Sequence, residues 1–195
     1  MNVRDVILHS DAQQTPLDLI PSRLELSRTL KNPTGKERRL AKCIAQVSDR
    51  YDLILIDCAP TESILTDAAY FASRYVVVPI KPEFMATIGL PLLARSVQEF
   101  RLENEDHAIE IAGLCFVESS YYRAGPEART SKTEVRNVAT QHGWHVFDTE
   151  IRHSASYPRA SRGASSLWGT PNSQEQVCME FDQFKDEVFR AAGLA

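Results

Sequence analysis

The chain reads as a doubly wound α/β fold, a mostly parallel sheet flanked by helices, on three observations. Apolar runs rich in β-favouring residues alternate with segments of helical period. Two of those runs, Tyr51 to Asp57 and Tyr75 to Ile80, are apolar almost throughout, as strands covered on both faces are. The 195 residues are 43% apolar and 25% charged, which is enough to build one sizeable core. A single domain over residues 1–195 is therefore expected.

The elements follow in order. Strand-like runs fall at Leu17 to Ile20, Tyr51 to Asp57, Tyr75 to Ile80, Ile109 to Val117 and Val146 to Ile151. Leu40, Cys43, Ile44 and Val47 recur at helical spacing, as do Leu90, Leu93, Ala94 and Val97, so each set makes one apolar stripe. Ser131 to Glu134 has the form of a capping box ahead of Val135, Val138 and Ala139, with Gly143 placed to end that helix. Ser173 with Gln176 forms a weaker box before Val177, Phe181, Phe184 and Val188, the final helix. Ser154 to Asn172, rich in Ser, Gly, Pro and Arg, is expected as a long irregular loop.

Composition excludes several classes. No apolar run approaches the roughly 18 residues that cross a bilayer, and the first residues lack the basic flank and apolar stretch of a signal peptide. A cytosolic protein is expected. Cys43, Cys58, Cys115 and Cys178 are scattered, without a C-x-x-C pair or a histidine at metal-ligand spacing, and read as buried thiols in a reducing compartment. His107, His142, His145 and His153 belong to no nucleophile motif, and Glu103, Glu105 and Asp106 read as a solvated turn. Net charge is -4, but Tyr121 to Gly163 holds seven Lys/Arg against four acids. Its Arg123, Arg129, Arg152, Arg159 and Arg162 are candidates for DNA phosphates, or else an ordinary solvated surface.

The most informative string is Tyr51 to Thr61, YDLILIDCAPT. A buried strand ending in aspartate places a carboxylate at the carboxyl edge of a sheet, where open α/β folds bind ligands. By itself a strand-end Asp57 would more often cap the turn or helix that follows. The surrounding text decides more. Residues 51–93 resemble the ParA/MinD-type (deviant Walker) partition ATPases: a Walker B strand, a switch, a further strand ending near Pro, then Glu83-Phe84-Met85-Ala86-Thr87-Ile88-Gly89-Leu90. Upstream LDLIPSRLELSRTL, and downstream Gly113-Leu114 and Val146 to Ile151, are similar to family segments in the same order. The resemblance spans nearly the whole chain.

That resemblance implies a P-loop NTPase-like fold, lacking its first strand, P-loop and helix, and so an N-terminally incomplete domain. It implies ATP and magnesium in the complete protein, with Asp57 holding the metal through water and Ala59 to Thr66 as the switch. Pro60, Thr61, Arg152 and His153 would contact the cofactor. It also implies a homodimer, nonspecific DNA, a ParB-like or other adaptor, no membrane, and a cytoplasmic, nucleoid-associated site of action. Departures are Ala59 for the first proline, Arg74 where the family has Asp, and Ile151-Arg152-His153-Ser154 for its Ile-Pro-Arg-Asn stretch. A P-loop needs G-x-x-x-x-G-K-[ST]. The one Gly-Lys pair, Gly35-Lys36, is followed by Glu37 and has Leu30 where the first glycine belongs. The chain alone is thus expected to bind no cofactor. A non-catalytic interaction module of the same fold is the alternative; a ligase of the cobyrinic-acid amidase group is a third reading, without identifiable substrate residues.

Overall fold

In the computed structural model, which describes residues 3–9, 17–22, 26, 35–59, 61–119, 125–163 and 165–194, the chain divides into two units. One comprises residues 1–74 with 100–109, the other residues 75–99 with 110–195.

The second unit holds the parallel sheet. Its strands β3 (Tyr75–Ile80), β4 (Glu110–Ser119) and β5 (Ile151–Arg152) lie in that order. β4 is central because it is the most apolar: Ala112, Leu114, Cys115 and Phe116 are all buried. Helices α3 (Phe84–Glu103), α4 (Pro126–His142), α5 (Ser156–Arg162) and α6 (Glu175–Ala191) accompany it. Leu90 of α3, Val135 and Ala139 of α4, and Ile80, Leu114 and Phe116 of the strands form one core cluster. Each large side chain buried there contributes about 1.5–3 kcal/mol over leaving it in water. This is the mixed α/β architecture expected from the apolar runs.

The first unit contains a two-stranded antiparallel ribbon, β1 (Leu8–His9) with β2 (Asp18–Leu19), and helices α1 (Arg39–Ile44) and α2 (Ile64–Ala72). Val3, Ile7 and Val47 form one buried cluster of it, with Val6, Cys43 and Tyr51 against them. The end of α2 is capped by His107. The His107 Nε2 lies 2.8 Å from the Tyr70 carbonyl and 3.0 Å from that of Ser73. Carbonyls only accept, so this nitrogen carries the hydrogen and donates to both. The imidazole expected to have no chemical role is therefore a helix cap.

Four sequence expectations are corrected. Tyr51 to Asp57 does not pair: residues 51–59 contain no strand, and Leu55 is 82% exposed. A strand exists only through a partner, and the described residues supply none here. Val146 to Ile151 shrinks to a single bridge from Val146 to Leu114 plus β5. The helix carrying Ser131 starts earlier, with Gly125 at its N-cap and Pro126 in its first turn, so Ser131 is a buried interior residue and no capping box. Ser154 to Asn172 is not wholly irregular, because Ser156–Arg162 is helical; Pro158 fits the first turn, where its missing N–H has no intrahelical acceptor. Gly143 does end α4 as expected, in the left-handed conformation.

Gly113 admits a close approach. A Cβ there would sit 2.6 Å from the ring of Phe147, itself buried, while Leu114 exchanges backbone hydrogen bonds with His145 and Phe147, each 2.9 Å long. Gly113→Ala is expected to cost about 1–3 kcal/mol, read as a lower midpoint in urea denaturation. Unchanged stability would show that the ring moves freely.

Candidate functional site

The segment carrying Asp57 is fixed at its two ends. At the start, the Tyr51 hydroxyl donates to Asp18 Oδ2 over 2.6 Å, and His9 Nδ1 lies 2.9 Å from Asp18 Oδ1. At the end, the Thr61 N–H donates to the Ala59 carbonyl over 2.8 Å and the Thr61 carbonyl accepts the hydroxyl of buried Thr66, while extended Ser63 leads into α2. Between these points Asp57 is exposed, as is Thr61. Cys58, expected to be buried, is exposed; the desolvation that remains, then the adjacent Asp57 carboxylate, push its thiol up, so it is no ready nucleophile. Burial holds the Asp67 carboxyl above its ordinary range, with Glu103 and Glu37 adding to the effect. Pro60 lies outside the described residues.

Residues 35–38 do not form a phosphate cradle. Gly35 takes a positive φ of 69°, but the Lys36 carbonyl accepts the Arg39 N–H over 3.0 Å in a turn that enters α1. Glu37 then places a carboxylate where a triphosphate would need a hydroxyl.

The carboxyl edge of the parallel sheet, in the second unit, is ionic. The register of β4 against β5 steps from Val117–Ile151 to Ser119–Arg152, leaving Glu118 bulged out with a φ of 52°. The bulge turns Glu118 toward Lys81, which follows β3; their charged atoms are 2.6 Å apart. The Lys81 hydrogen bond holds the Glu118 carboxyl below its usual range, and His153 adds to the same effect; Lys81 is in turn raised by Glu118. Neither Lys81 nor Glu118 was singled out from sequence, although both stand at the ends of recognised apolar runs. Strand-end position was the available signal.

Beside this edge a second network ties α4 to β4. Lys132 Nζ lies 2.5 Å from Glu150 Oε2 and 2.8 Å from Ser119 Oγ, and Arg136 is 3.8 Å from Glu150 Oε1. Arg136 also stacks 5.0 Å from the Phe116 ring centre. Burial works against the Glu150 carboxylate, but Lys132 and Ser119 outweigh it and hold the carboxyl below its ordinary range. Cys115, on the same strand, is pushed up to about 12 by burial and is inert.

The arginines expected at a DNA face are placed differently from one another. Arg152 is taken up by Glu180, with Nε 2.7 and 2.8 Å from the two carboxylate oxygens. Arg129, Arg159 and Arg162 are exposed, the last two on adjacent turns of α5, and Arg159 also donates to the Asn172 carbonyl over 3.2 Å. His153 is exposed next to Arg152. Arg123 lies outside the described residues.

A parallel sheet with an ionic carboxyl edge, flanked by helices, defines an open α/β domain. The family model described as AAA domain matches residues 1–111. An uncharacterized protein of Mycobacterium tuberculosis is 32% identical over 164 residues, 83% of this chain and 49% of that protein. The chromosome-partitioning ATPase Soj of Treponema pallidum is 31% identical over 159 residues, 78% of this chain and 60% of that one. Apo McdA of Cyanothece superposes with a TM-score of 0.79 at 18% identity, covering 96% of this chain and 73% of that one. Cobyrinic acid a,c-diamide synthase of Mycobacterium smegmatis, solved with an ATP analog and magnesium, gives 0.65 at 17% identity, covering 84% and 70%. The chain belongs to the ParA/MinD-type partition ATPase family, and it spans about half the length of the first of these relatives.

The half-buried network yields a test. Glu150→Gln leaves Lys132, 13% exposed, without its counter-charge, at an expected cost of about 1–3 kcal/mol in urea denaturation. The folded-state pKa of Glu150 is depressed, so its contribution is present above the ordinary carboxylate range and is lost as pH falls through the lowered value. The variant should lack that part of the acid dependence; an identical pH profile would remove Glu150 from the account.

Proposed function

We propose that the protein acts in DNA segregation or in positioning an intracellular cargo, as a ParA-like ATPase in the cytoplasm that associates with the nucleoid. In this reading ATP closes a homodimer, the dimer holds DNA without sequence preference, and a ParB-like or other adaptor stimulates turnover. The observation supporting it is the family-ordered segment in which exposed Asp57 and Thr61 precede α2. A solvent-facing carboxylate and hydroxyl are the hard oxygen donors that suit magnesium and its water shell. Asp57 would order that shell, and Pro60 and Thr61 would lie beside it.

The phosphate side does not fit. Neither the Gly35–Lys36 turn nor any other stretch of these 195 residues has the P-loop pattern, so no hydrolytic step is derived for this chain. Arg152 and His153 remain the proposed base-side contacts, with the Arg152 guanidinium already held by Glu180. A second reading, a non-catalytic dimerisation or interaction module, is favoured by that same misfit. Sedimentation with and without magnesium-ATP separates the two: nucleotide-dependent association supports the ATPase, nucleotide-independent association the module. The chain alone is expected to show no magnesium-dependent ATP hydrolysis above a blank. Turnover abolished by Asp57→Ala would overturn the misfit.

DNA contact is proposed for Arg129, Arg159 and Arg162, with Arg123 and Arg152 completing the basic tract. Phosphate contacts carry no base information, so duplexes of unrelated sequence should bind about equally and weaken steeply with salt. Replacing Arg159 and Arg162 by Ala should flatten the salt dependence by roughly one unit per lost contact. Arg152→Ala should instead lower stability, because it leaves Glu180 unpaired. An unchanged slope in the double variant would return α5 to ordinary solvated surface.

A further inference from the structure

The backbone of residues 52–58 belongs to no strand or helix, and the Leu53, Ile54 and Leu55 side chains are exposed. Sheet pairing therefore does not set where this segment runs, and of its Leu and Ile side chains only Ile56 is half-buried. The side chain that enters the first unit from its beginning is Tyr51. Its ring packs against the Val3, Ile7 and Val47 cluster, and its hydroxyl reaches Asp18, 33 residues away in sequence. The carboxylate of Asp18 is itself held. It sits on β2 directly across the ribbon from His9, whose Nδ1 takes the oxygen that Tyr51 does not use.

We propose that Asp18 is a positioning residue: through Tyr51 it anchors the start of the extended segment that carries Asp57, and His9 fixes the carboxylate that does so. A short, charge-assisted hydrogen bond from a phenol is directional, so it sets both the position and the heading of the chain leaving Tyr51. Without it the aromatic ring retains its apolar contacts but loses its orienting contact at the polar tip. The charged and titratable groups facing Asp18 are Tyr51, His9 and Arg50, and all three favour the ionised carboxylate. Asp18 is accordingly held below the usual carboxylate range, chiefly by Tyr51, and the anchor is intact at neutral pH.

The purpose assigned to the anchor rests on the reading of Asp57 given above, but its existence does not depend on any nucleotide chemistry. The experiment is nitrogen-15 relaxation on the full chain near pH 7, comparing the parent with Asp18→Ala, Tyr51→Phe and the double variant. Both single variants are expected to lower the heteronuclear NOE across residues 52–58 while leaving α4 and α6 unchanged. At residues 52–58 the double variant should match either single one, because the Tyr51–Asp18 bond is lost in all three. The Cζ carbon shift of Tyr51 should move in Asp18→Ala, a direct signature of the lost acceptor that a change in packing elsewhere does not produce. Unchanged NOE values at 52–58 in Tyr51→Phe, or effects that add in the double variant, overturn the proposal. If Asp18→Ala does not fold, Tyr51→Phe alone carries the test, since phenylalanine keeps the ring in the cluster. Failure of the Asp57 reading would appear instead in nucleotide-dependent association and leave these NOE values as expected.

Discussion

The placement of β4 constrains the second unit more than any other contact. A strand buried on both faces must satisfy its backbone through neighbours, because no water reaches it. β3 does this along one side in parallel register, and on the other side the chain from His145 to Arg152 does so in pieces: two hydrogen bonds at Leu114, then β5. The discontinuity has a physical source. Phe147 turns its ring onto Gly113, filling the space a side chain would have taken. The core cluster and the bulge at Glu118 take their positions from that strand, and Val135 and Ala139 of α4 pack against it.

Charge is arranged around this apolar centre in pairs. Lys81 with Glu118, Lys132 with Glu150, and Arg152 with Glu180 each join elements distant in sequence, and the last two are half-buried. Half-buried pairs contribute less to net stability than to specificity: the cost of stripping water is recovered only in one geometry. They therefore select the docking of α4 and α6 against the strands, which an apolar contact alone would leave more permissive.

What could be read from the residues follows this division. Tyr75 to Ile80 and Ile109 to Val117 were legible because continuous apolar runs bounded by polar residues leave one choice, and the structure places strands there, the second displaced slightly to Glu110–Ser119. The run at Tyr51 to Asp57 has the same local character yet forms no strand, since pairing is a property of two segments and a pattern records one. The capping box at Ser131 misled because Gly125 and Pro126 begin the helix a turn and a half earlier and draw Ser131 inside. Asp57 is a candidate on the residue pattern alone, whereas the engagement of Arg152 by Glu180 depends on α6 returning across β5, and no spacing rule reports that.

Glu118 carries two demands that pull in opposite directions. Its φ of 52° suits glycine, asparagine or aspartate, while its ion pair with Lys81 asks for a carboxylate on a side chain of sufficient length. Glycine would relax the backbone and lose the charge; valine or isoleucine would satisfy neither. The alphabet open to drift at this position is therefore very small. A lineage that abandons the acid should relax the turn at the same step, and Lys81 would then be free to change as well.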